Sequence, residues 1–340
     1  MNFAPVIIPT LNRAEHLRRC LESLKQNNGA DKTEIYISVD YPPAEKYKEG
    51  YKEVKKLLSE TDLSCFKNVY VFNHRKNKGP VGNSDFLKEK IKKDGYDRYI
   101  YTEDDNEFST NFLVYMNEAL QKFEANEDVI AVCGAKDTSW ETKGKNIAYC
   151  KLLAAYGVGE WLDKTKAAQQ KAKEILLPKK IYGPKRMFSF LKKNACLFNL
   201  YVLNILCADK GFYWPQENEL RFCDSTYSIY MHLSDAICIA PAVAKSRTWG
   251  NDGSGVNMAE RDINPEQEWE LDKNTDFVCD DTENLEFLNE NYALGNAYLS
   301  SGQAANTAKA LLCYGLILLC GRDRNRVLKI VNKIRKALKK

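Results

Sequence analysis

The most constraining feature of the chain is the regular alternation of apolar and amphipathic segments in its first 135 residues. Short runs rich in Val, Ile, Tyr and Phe predict β-strands at 3–8, 34–39, 68–72, 98–102 and 129–133. The segments between them repeat their apolar residues at helical spacing, as at 17–24, 47–58, 83–92 and 112–123. Alternating strands and helices with short connections form a mostly parallel sheet flanked by helices. The sequence therefore predicts the α/β fold class, in a Rossmann-like arrangement.

The pattern becomes less regular from about residue 149 onwards. Residues 164–193 are basic and interrupted by Pro and Gly, and the chain is helical in pattern again from residue 285. We predict one domain over 1–258 and a helical C-terminal extension over 259–340. The last segment, 322–340, combines a stripe of Val, Ile and Leu with many Lys and Arg, which predicts a basic amphipathic helix.

The bulk composition excludes several classes of protein. The net charge is only +4 over 340 residues, so we expect no nucleic-acid partner. The 11 cysteines include no Cys-x-x-Cys pair, which indicates reduced, mostly buried thiols and argues against a zinc site. No signal segment opens the chain and no apolar run is long enough to span a bilayer. We therefore expect a cytoplasmic location.

Polar side chains follow three of the predicted strands. Residues 10–13 (Thr-Leu-Asn-Arg) follow the first strand, Asp40 follows the second, and the acidic run Glu103-Asp104-Asp105 follows the fourth. Ligands of parallel sheets bind at the carboxyl ends of the strands. We therefore expect these groups to converge at one edge of the sheet.

The acidic run is the strongest chemical signal among them. Adjacent carboxylates repel one another unless a cation or ordered hydrogen bonds offset the charge. Mg²⁺ and Mn²⁺ prefer oxygen ligands and share them with substrate phosphates. The run therefore predicts a metal and diphosphate site, although a solvated acidic turn before a helix is the structural alternative.

The other candidates each have a structural alternative as well. Asp40 could bind a nucleobase or ribose, or form a turn before Pro42-Pro43. Thr10, Asn12 and Arg13 could hold a nucleotide; alternatively, Thr10 or Asn12 caps a helix and Arg13 is exposed. Gly79, in a glycine-containing loop before a helix, could approach phosphates. Asp224 could act as a general base or cap a helix.

Several segments carry a resemblance to known enzymes. Residues 5–13 (PVIIPTLNR) with 17–24 (LRRCLESL) resemble the opening of family-2 glycosyltransferases. Residues 101–108 (YTEDDNEF) resemble the metal motif of the N-acetylglucosaminyltransferase I family. Residues 240–241 and 245–250 (KSRTWG) resemble a later segment of the same family. The resemblance implies a GT-A type fold, with a donor-binding half at about 1–135 and an acceptor half at about 136–258.

The resemblance also implies roles for individual residues. Asp105 would coordinate Mn²⁺, or Mg²⁺, on the diphosphate of a nucleotide-sugar donor, and Glu103 and Asp104 would contact the sugar or ribose. Asp40 would bind the uracil of a UDP-sugar, and Arg13 would lie near the nucleotide. Asp224 would be the catalytic base of an inverting transfer, although Cys223 stands where the family has an acid. Glu160 and Trp161 would contact the acceptor.

We therefore expect a metal-dependent glycosyltransferase that acts on a glycan or lipid-linked glycan in bacterial surface polysaccharide synthesis. The segment 322–340 could bind an anionic membrane surface as a peripheral contact, or pack on the domain. A sugar nucleotidyltransferase is one alternative, but its glycine-rich loop is not found after the first strand. A catalytically inactive carbohydrate-binding relative is the other.

Overall fold

The computed structural model describes residues 3–136, 144–176, 183–206, 213–214, 219–220, 222–255, 267–280, 285, 287, 303–320, 326, 329–330 and 332–333. The chain divides into two compact units. Unit 1 comprises residues 1–150, 154–165 and 237–288, and unit 2 comprises residues 151–153, 166–236 and 289–340. The predicted division at residue 258 stays a prediction.

The strands lie mainly in unit 1. They are β1 (Val6–Thr10), β2 (Glu34–Val39), β3 (Asn68–Asn73), β4 (Arg98–Tyr101), β5 (Asn106–Phe108), β6 (Val129–Cys133), β7 (Ile147–Cys150), β8 (Val158–Trp161), β9 (Tyr213–Trp214), β10 (Glu219–Leu220), β11 (Ile237–Pro241) and β12 (Ser246–Thr248). Within the described residues the main sheet has the order β3-β2-β1-β4-β8-β6-β11-β7. The pairs β3/β2, β2/β1, β1/β4 and β11/β6 are parallel. The pairs β4/β8, β8/β6 and β11/β7 are antiparallel. The predicted mostly parallel sheet is confirmed.

The helices that cover this sheet are α1 (Ala14–Lys25), α2 (Lys48–Glu60), α3 (Gly79–Lys93) and α4 (Phe112–Lys122). Side chains alternate between the two faces of a strand, so each face needs its own cover. Val6 and Ile8 of β1 lie in the core beneath α1, α2 and α4, whereas Ile7 packs with Leu87 and Ile91 of α3 on the other face. This two-sided burial explains why β1 and β2 are apolar almost throughout.

Helix α3 begins earlier than the sequence pattern indicates. We predicted it over 83–92, but it begins at Gly79. Pro80 lies in the first turn, where its missing N–H costs no helical hydrogen bond. Gly79 has φ +71°, a left-handed conformation that glycine adopts without strain. The carboxyl ends of β1 and β2 and the N-terminus of α3 therefore meet.

Unit 2 contains α6 (Pro184–Lys193), α7 (Ala195–Leu200), α8 (Asp224–His232) and α9 (Gln303–Leu319), while α5 (Leu162–Leu176) begins in unit 1. Helix α7 packs against both α6 and α9. The Phe198 and Tyr314 rings lie 6.4 Å apart at the contact between α7 and α9, and Asn199 Nδ2 donates to Thr307 Oγ1 over 2.9 Å. The predicted C-terminal helical extension is confirmed by α9.

The segment 322–340 lies largely outside the described residues. The five that the structure describes there are helical: Arg326, Lys329, Ile330, Asn332 and Lys333. Among the described helices, none is both long and apolar enough to cross a membrane.

Candidate functional site

The acidic run after β4 is joined to the residues that follow β1. These two strands are parallel neighbours and end at the same edge of the sheet. Thr10 Oγ1 donates to Asp104 Oδ2 over 2.6 Å, and Arg13 Nη2 donates to the other Asp104 oxygen. Arg13 Nη1 also lies 2.7 Å from Asp105 Oδ2. The structure therefore brings together Thr10, Arg13, Asp104 and Asp105.

The position of Arg13 at the start of α1 makes this contact possible. Arg13 is the N-cap residue of α1 and its side chain makes no capping hydrogen bond. Its carbonyl accepts from the Leu17 N–H, which begins the helix. The Arg13 carbonyl therefore accepts the first hydrogen bond of α1, while the Arg13 guanidinium contacts the acidic run.

The acidic side chains at this site are almost fully buried. Asp104 and Asp105 have side chains that are 3% and 5% exposed, and Arg13 is 16% exposed. Burial raises the pKa of Asp105, and the neighbouring Asp104 charge adds to this, whereas Arg13 and His16 oppose it. Although burial lowers it, the two carboxylate charges raise the pKa of Arg13. A buried carboxylate needs a cation beside it, and here the guanidinium supplies that charge.

Asp105 nevertheless retains an unused oxygen. Its Oδ1 is buried and has no hydrogen-bond partner within the described part of the chain. Buried polar atoms in native proteins are nearly always bonded, and those that are not commonly face a bound ion or water. This oxygen is therefore a candidate acceptor for a cation.

A two-stranded ribbon holds a second loop over the acidic run. β12 pairs antiparallel with β5, which follows the run directly. Arg247 of β12 makes two hydrogen bonds to Glu107, of 2.9 and 3.0 Å, and Trp249 Nε1 donates to the same carboxylate over 2.7 Å. The Trp249 N–H donates to the Asp105 carbonyl over 2.8 Å. These bonds fix residues 249–255 beside Asp105.

Gly250 makes the closest approach of this loop. A Cβ at that position would lie 2.2 Å from Asp105 Oδ2, so a larger residue cannot be accommodated without movement. His16 of α1 extends the same edge, since its Nε2 lies 3.1 Å from Asp252 Oδ2 and 3.3 Å from the Trp249 carbonyl oxygen. The site thus combines groups from the start and from the later part of unit 1.

Asp40 lies at the end of β2 and is 4% exposed. Its two oxygens accept four hydrogen bonds of 2.8 to 3.0 Å, from the backbone N–H groups of Tyr41, Lys78 and Gly79 and from the Asn77 side chain. Asp40 therefore anchors the loop that leads into α3, next to the β1 strand end. Its contact with a nucleobase stays a prediction.

The remaining predicted residues occupy different places. Glu103 is partly exposed and lies at the acidic run, and Asn12 is partly exposed in the turn before α1. Glu160 and Trp161 are buried in β8, where Trp161 pairs with Arg98 at the beginning of β4. That is the opposite end of β4 from the acidic run, so the structure does not bring these two residues to it.

Glu160 is also engaged within the fold. It accepts hydrogen bonds from Tyr99 Oη over 2.7 Å and from Thr165 Oγ1 over 3.3 Å. Asp224 is the first residue of α8 in unit 2, where Cys223 is the N-cap residue. The cap position that we considered for Asp224 is therefore occupied by Cys223, and its role as a base stays a prediction.

Four residues of the site were missed at the sequence level: His16, Trp249, Gly250 and Asp252. The three histidines of the chain are far apart in sequence, so no local pattern singles out His16. The signal that could have identified the others is the glycine-rich stretch 250–255 after the 245–250 segment. More than 230 residues separate His16 from Trp249 in sequence, and the β12–β5 ribbon places Trp249 next to α1.

The oxygen chemistry of the acidic run fits a divalent cation. No group of three or more His, Cys, Asp or Glu side chains in the described ranges is arranged to enclose a metal ion. Mg²⁺-type cations do not need such a cage, since they are commonly held by one or two carboxylates plus substrate phosphates. The unbonded Asp105 Oδ1 supplies an oxygen of the required type.

Ligands of open α/β sheets bind outside the carboxyl ends of the strands, which is where this chain has Arg13 and the buried carboxylates of Asp104 and Asp105. The sequence profile of glycosyl transferase family 2 matches residues 6–189. The chain belongs to this family, and its fold is of the GT-A type. The predicted family-2 resemblance is confirmed, whereas the resemblance to N-acetylglucosaminyltransferase I stays a prediction.

Solved structures that match the chain include S. aureus TarS, with 14% identity over 64% of this chain and 41% of that chain, at a TM-score of 0.33. They also include the mannosyltransferase PcManGT from Pyrobaculum calidifontis in complex with GDP-Man and Mn²⁺. That match has 12% identity over 68% of this chain and 70% of that chain, at a TM-score of 0.36. The chain thus spans less than two thirds of the length of TarS. No curated protein sequence shows significant similarity to the chain.

Proposed function

We propose that this glycosyltransferase moves a sugar from a nucleotide-diphosphate donor, a UDP-sugar, to a hydroxyl of a glycan or lipid-linked glycan. One observation carries the proposal. In a chain of glycosyl transferase family 2, the buried pair Asp104-Asp105 lies at the strand edge beside Arg13, and Asp105 retains an unbonded oxygen. Charge of both signs is thus available where a diphosphate and a cation would bind together.

The metal in this proposal is Mn²⁺ or Mg²⁺, and Asp105 is the residue that would hold it. Bound there, the cation would act as a Lewis acid on the leaving diphosphate. Thr10 and Arg13 fix the Asp104 carboxylate, and Arg13 presents a planar donor group suited to phosphate oxygens. Gly250 lets the 249–255 loop close on Asp105 without a side chain between them.

Asp40 contributes by positioning in this proposal. Its carboxylate accepts from the N–H groups of Lys78 and Gly79 and so fixes the N-terminus of α3 beside the strand ends. Asn12 and Glu103 lie within the same stretch of strand ends and would complete the contacts to the nucleotide and sugar. Asp224 is proposed as the general base of an inverting transfer, on the resemblance alone.

The proposed setting is surface polysaccharide synthesis in a bacterium. A lipid-linked acceptor would be presented at the inner face of the cytoplasmic membrane, and the basic segment 322–340 would favour an anionic surface there. The location proposed is therefore cytoplasmic and peripheral to that membrane.

A donor panel tests the proposed function. The protein is mixed with Mn²⁺ and a series of nucleotide sugars, and ligand binding is followed by thermal shift and by slow donor hydrolysis. We expect a response to one or more UDP-sugars that requires Mn²⁺ and is abolished in Asp105→Asn. The matched control is Asp128→Asn, which makes the same change at an exposed position away from the site.

Two results would overturn the proposal. The first is no response to any UDP- or GDP-sugar together with a clear shift on another class of ligand. The second is normal binding of donor and Mn²⁺ by Asp105→Asn, which would remove the acidic run from the donor site.

A further inference from the structure

The charges of the chain are divided unevenly between its two units. Unit 2 contains 22 Lys and Arg residues against 8 Asp and Glu, a net charge of +14. Because the whole chain carries only +4, unit 1 carries −10. A modest overall charge therefore hides one strongly basic unit, and such a unit attracts anionic surfaces.

Helix α9 of unit 2 has two apolar faces on opposite sides. Its inner face packs Ala310, Tyr314 and Ile317, which are at most 3% exposed. On the other side Leu312 is 72% exposed and Leu319 is 83% exposed. Ala305 and Ala308 extend the outer stripe at helical spacing, and both are exposed; the helix has one charged residue, Lys309.

An exposed stripe of this kind needs an explanation. Single exposed apolar residues are common, but a contiguous apolar helix face usually marks an interaction site. The 17 residues of α9 are too few to span a bilayer. They are sufficient for a helix that lies in the plane of a membrane interface, with its leucines at the level of the acyl chains.

Helix α6 repeats the same combination of exposed apolar and basic side chains. Phe188 is 57% exposed, while the preceding Met187 is buried. Lys185 and Lys192 of the same helix are exposed. Because α7 packs against both α6 and α9, the two helices belong to one packed group within unit 2.

The residues that follow α9 supply more positive charge. The segment 322–340 contains nine Lys and Arg residues and a single acid, Asp323. Of these, Arg326, Lys329 and Lys333 are exposed in the part that the structure describes. Each basic residue near an anionic membrane surface adds to the attraction.

We propose that unit 2 binds an anionic lipid bilayer through the outer face of α9 and through Phe188 of α6. The leucines and Phe188 enter the interfacial region, and the surrounding Lys and Arg side chains contact the lipid head groups. A second copy of the chain is the competing occupant of the apolar face. Two units of +14 repel each other, so the charge favours the bilayer.

The apolar side chains of this surface lie outside 322–340, whose basic residues only add to its charge. The inference stands whether or not the chain transfers sugar. The test is co-sedimentation of the full chain with vesicles of phosphatidylcholine alone or with about 30 mol% phosphatidylglycerol added, without donor or metal. We expect binding to the anionic vesicles that weakens as NaCl is raised. The double variant Leu312→Ser/Leu319→Ser should lower the partition coefficient about tenfold or more, since a buried Leu contributes about 1.5–3 kcal/mol.

The control is Val243→Ser/Val278→Ser, which changes two exposed valines of unit 1 and should bind as the wild type does. A second measurement uses the Leu319→Trp variant, whose added indole fluorescence should shift to the blue and be quenched by brominated lipids only with anionic vesicles. Unchanged binding by the serine variant, or no blue shift in the Leu319→Trp variant, overturns the proposal. Dimerisation that buries the leucines without vesicle binding overturns it as well.

The failure of this inference is separable from failure of the proposed function. Vesicle binding is measured without a donor, and the Leu312→Ser/Leu319→Ser protein should retain the wild-type thermal shift with nucleotide sugars.

Discussion

Replacing Arg13 with Met tests whether the guanidinium is the counter-ion of the acidic run. Methionine keeps most of the aliphatic volume but removes the charge and both ion pairs. Asp104 would retain the Thr10 hydroxyl as a donor, whereas Asp105 would lose its only side-chain partner within the described site. Breaking a buried ion pair by removing one partner costs about 3–5 kcal/mol.

The expected change in melting temperature follows from that cost. For a folded body of about 150–250 residues, 1 kcal/mol corresponds to roughly 2–4 °C. Arg13→Met should therefore lower the Tm by roughly 6–20 °C in metal-free buffer. Mn²⁺ should recover part of this loss, because a cation on the two carboxylates replaces the missing charge and stabilises by mass action.

The assay is differential scanning fluorimetry with and without Mn²⁺, and Arg18→Met provides the matched control. Arg18 lies in the same helix, but its ion pair with Glu15 is 3.3 Å long and more than half exposed. Such surface pairs contribute about 0–1 kcal/mol, so the control should melt within a few degrees of the wild type. An Arg13→Met protein with wild-type Tm, or one that Mn²⁺ does not stabilise more than the wild type, would refute the reasoning.

Three further predictions concern other parts of unit 1. Gly250→Ala should abolish Mn²⁺-dependent donor binding in a thermal shift assay, because the added Cβ meets a carboxylate, whereas Gly255→Ala has only ordinary contacts and should bind normally. Lys245→Met removes the cation paired with the buried carboxylate of Asp272, which keeps only its hydrogen bonds from Asn111 and Asn274 among the described residues, and should cost about 3–5 kcal/mol in chemical denaturation. Burial raises the pKa of Glu34, but hydrogen bonds from Asn68 and other neighbours outweigh this and hold it below its ordinary value. Stability from Glu34 is therefore present above the unfolded pKa of about 4.5 and lost as pH falls through the lower folded value.

The Glu34 prediction is checked by Tm measurements from about pH 6 to about pH 2. The wild type should lose more stability than Glu34→Gln over the acidic part of this range, and equal losses would contradict the assignment. Donor binding by Gly250→Ala at the wild-type level would contradict the close approach of the 249–255 loop. A Lys245→Met protein that unfolds at the wild-type denaturant concentration would contradict the buried ion pair of Lys245 with Asp272.

The sequence predicted the strands well because their apolar runs are bounded by strong breakers. β2 and β6 have the predicted limits, since each is β-branched and ends in a polar or glycine-containing turn. The start of α3 was predicted four residues late. Gly79 and Pro80 were interpreted as a loop, although proline is well suited to a first helical turn.

The candidate site was predictable only where strand ends bring it together. Thr10 ends β1, Arg13 follows it, and Asp104 and Asp105 follow the parallel neighbour β4, so their convergence could be predicted from the sheet. Gly250 lies against Asp105 at the end of the antiparallel β12–β5 ribbon, and His16 of α1 contacts Trp249 and Asp252 of the same loop. No local sequence pattern predicts these long-range contacts. Three of the four hydrogen bonds that Asp40 accepts come from residues 77–79, and the fourth comes from Tyr41. The position of the 77–79 loop beside Asp40 is likewise a long-range feature that no local pattern predicts.

The most direct test of the account is release of a nucleoside diphosphate from nucleotide sugars. The purified chain is incubated with a panel of UDP- and GDP-sugars, and the free nucleotide is measured with Mn²⁺ and with EDTA. We expect release from at least one UDP-sugar that requires Mn²⁺ and is lost in Asp105→Asn but retained in Asp128→Asn. No release from any donor, or equal release by wild type and Asp105→Asn, would contradict the assignment of the acidic run as the donor and metal site.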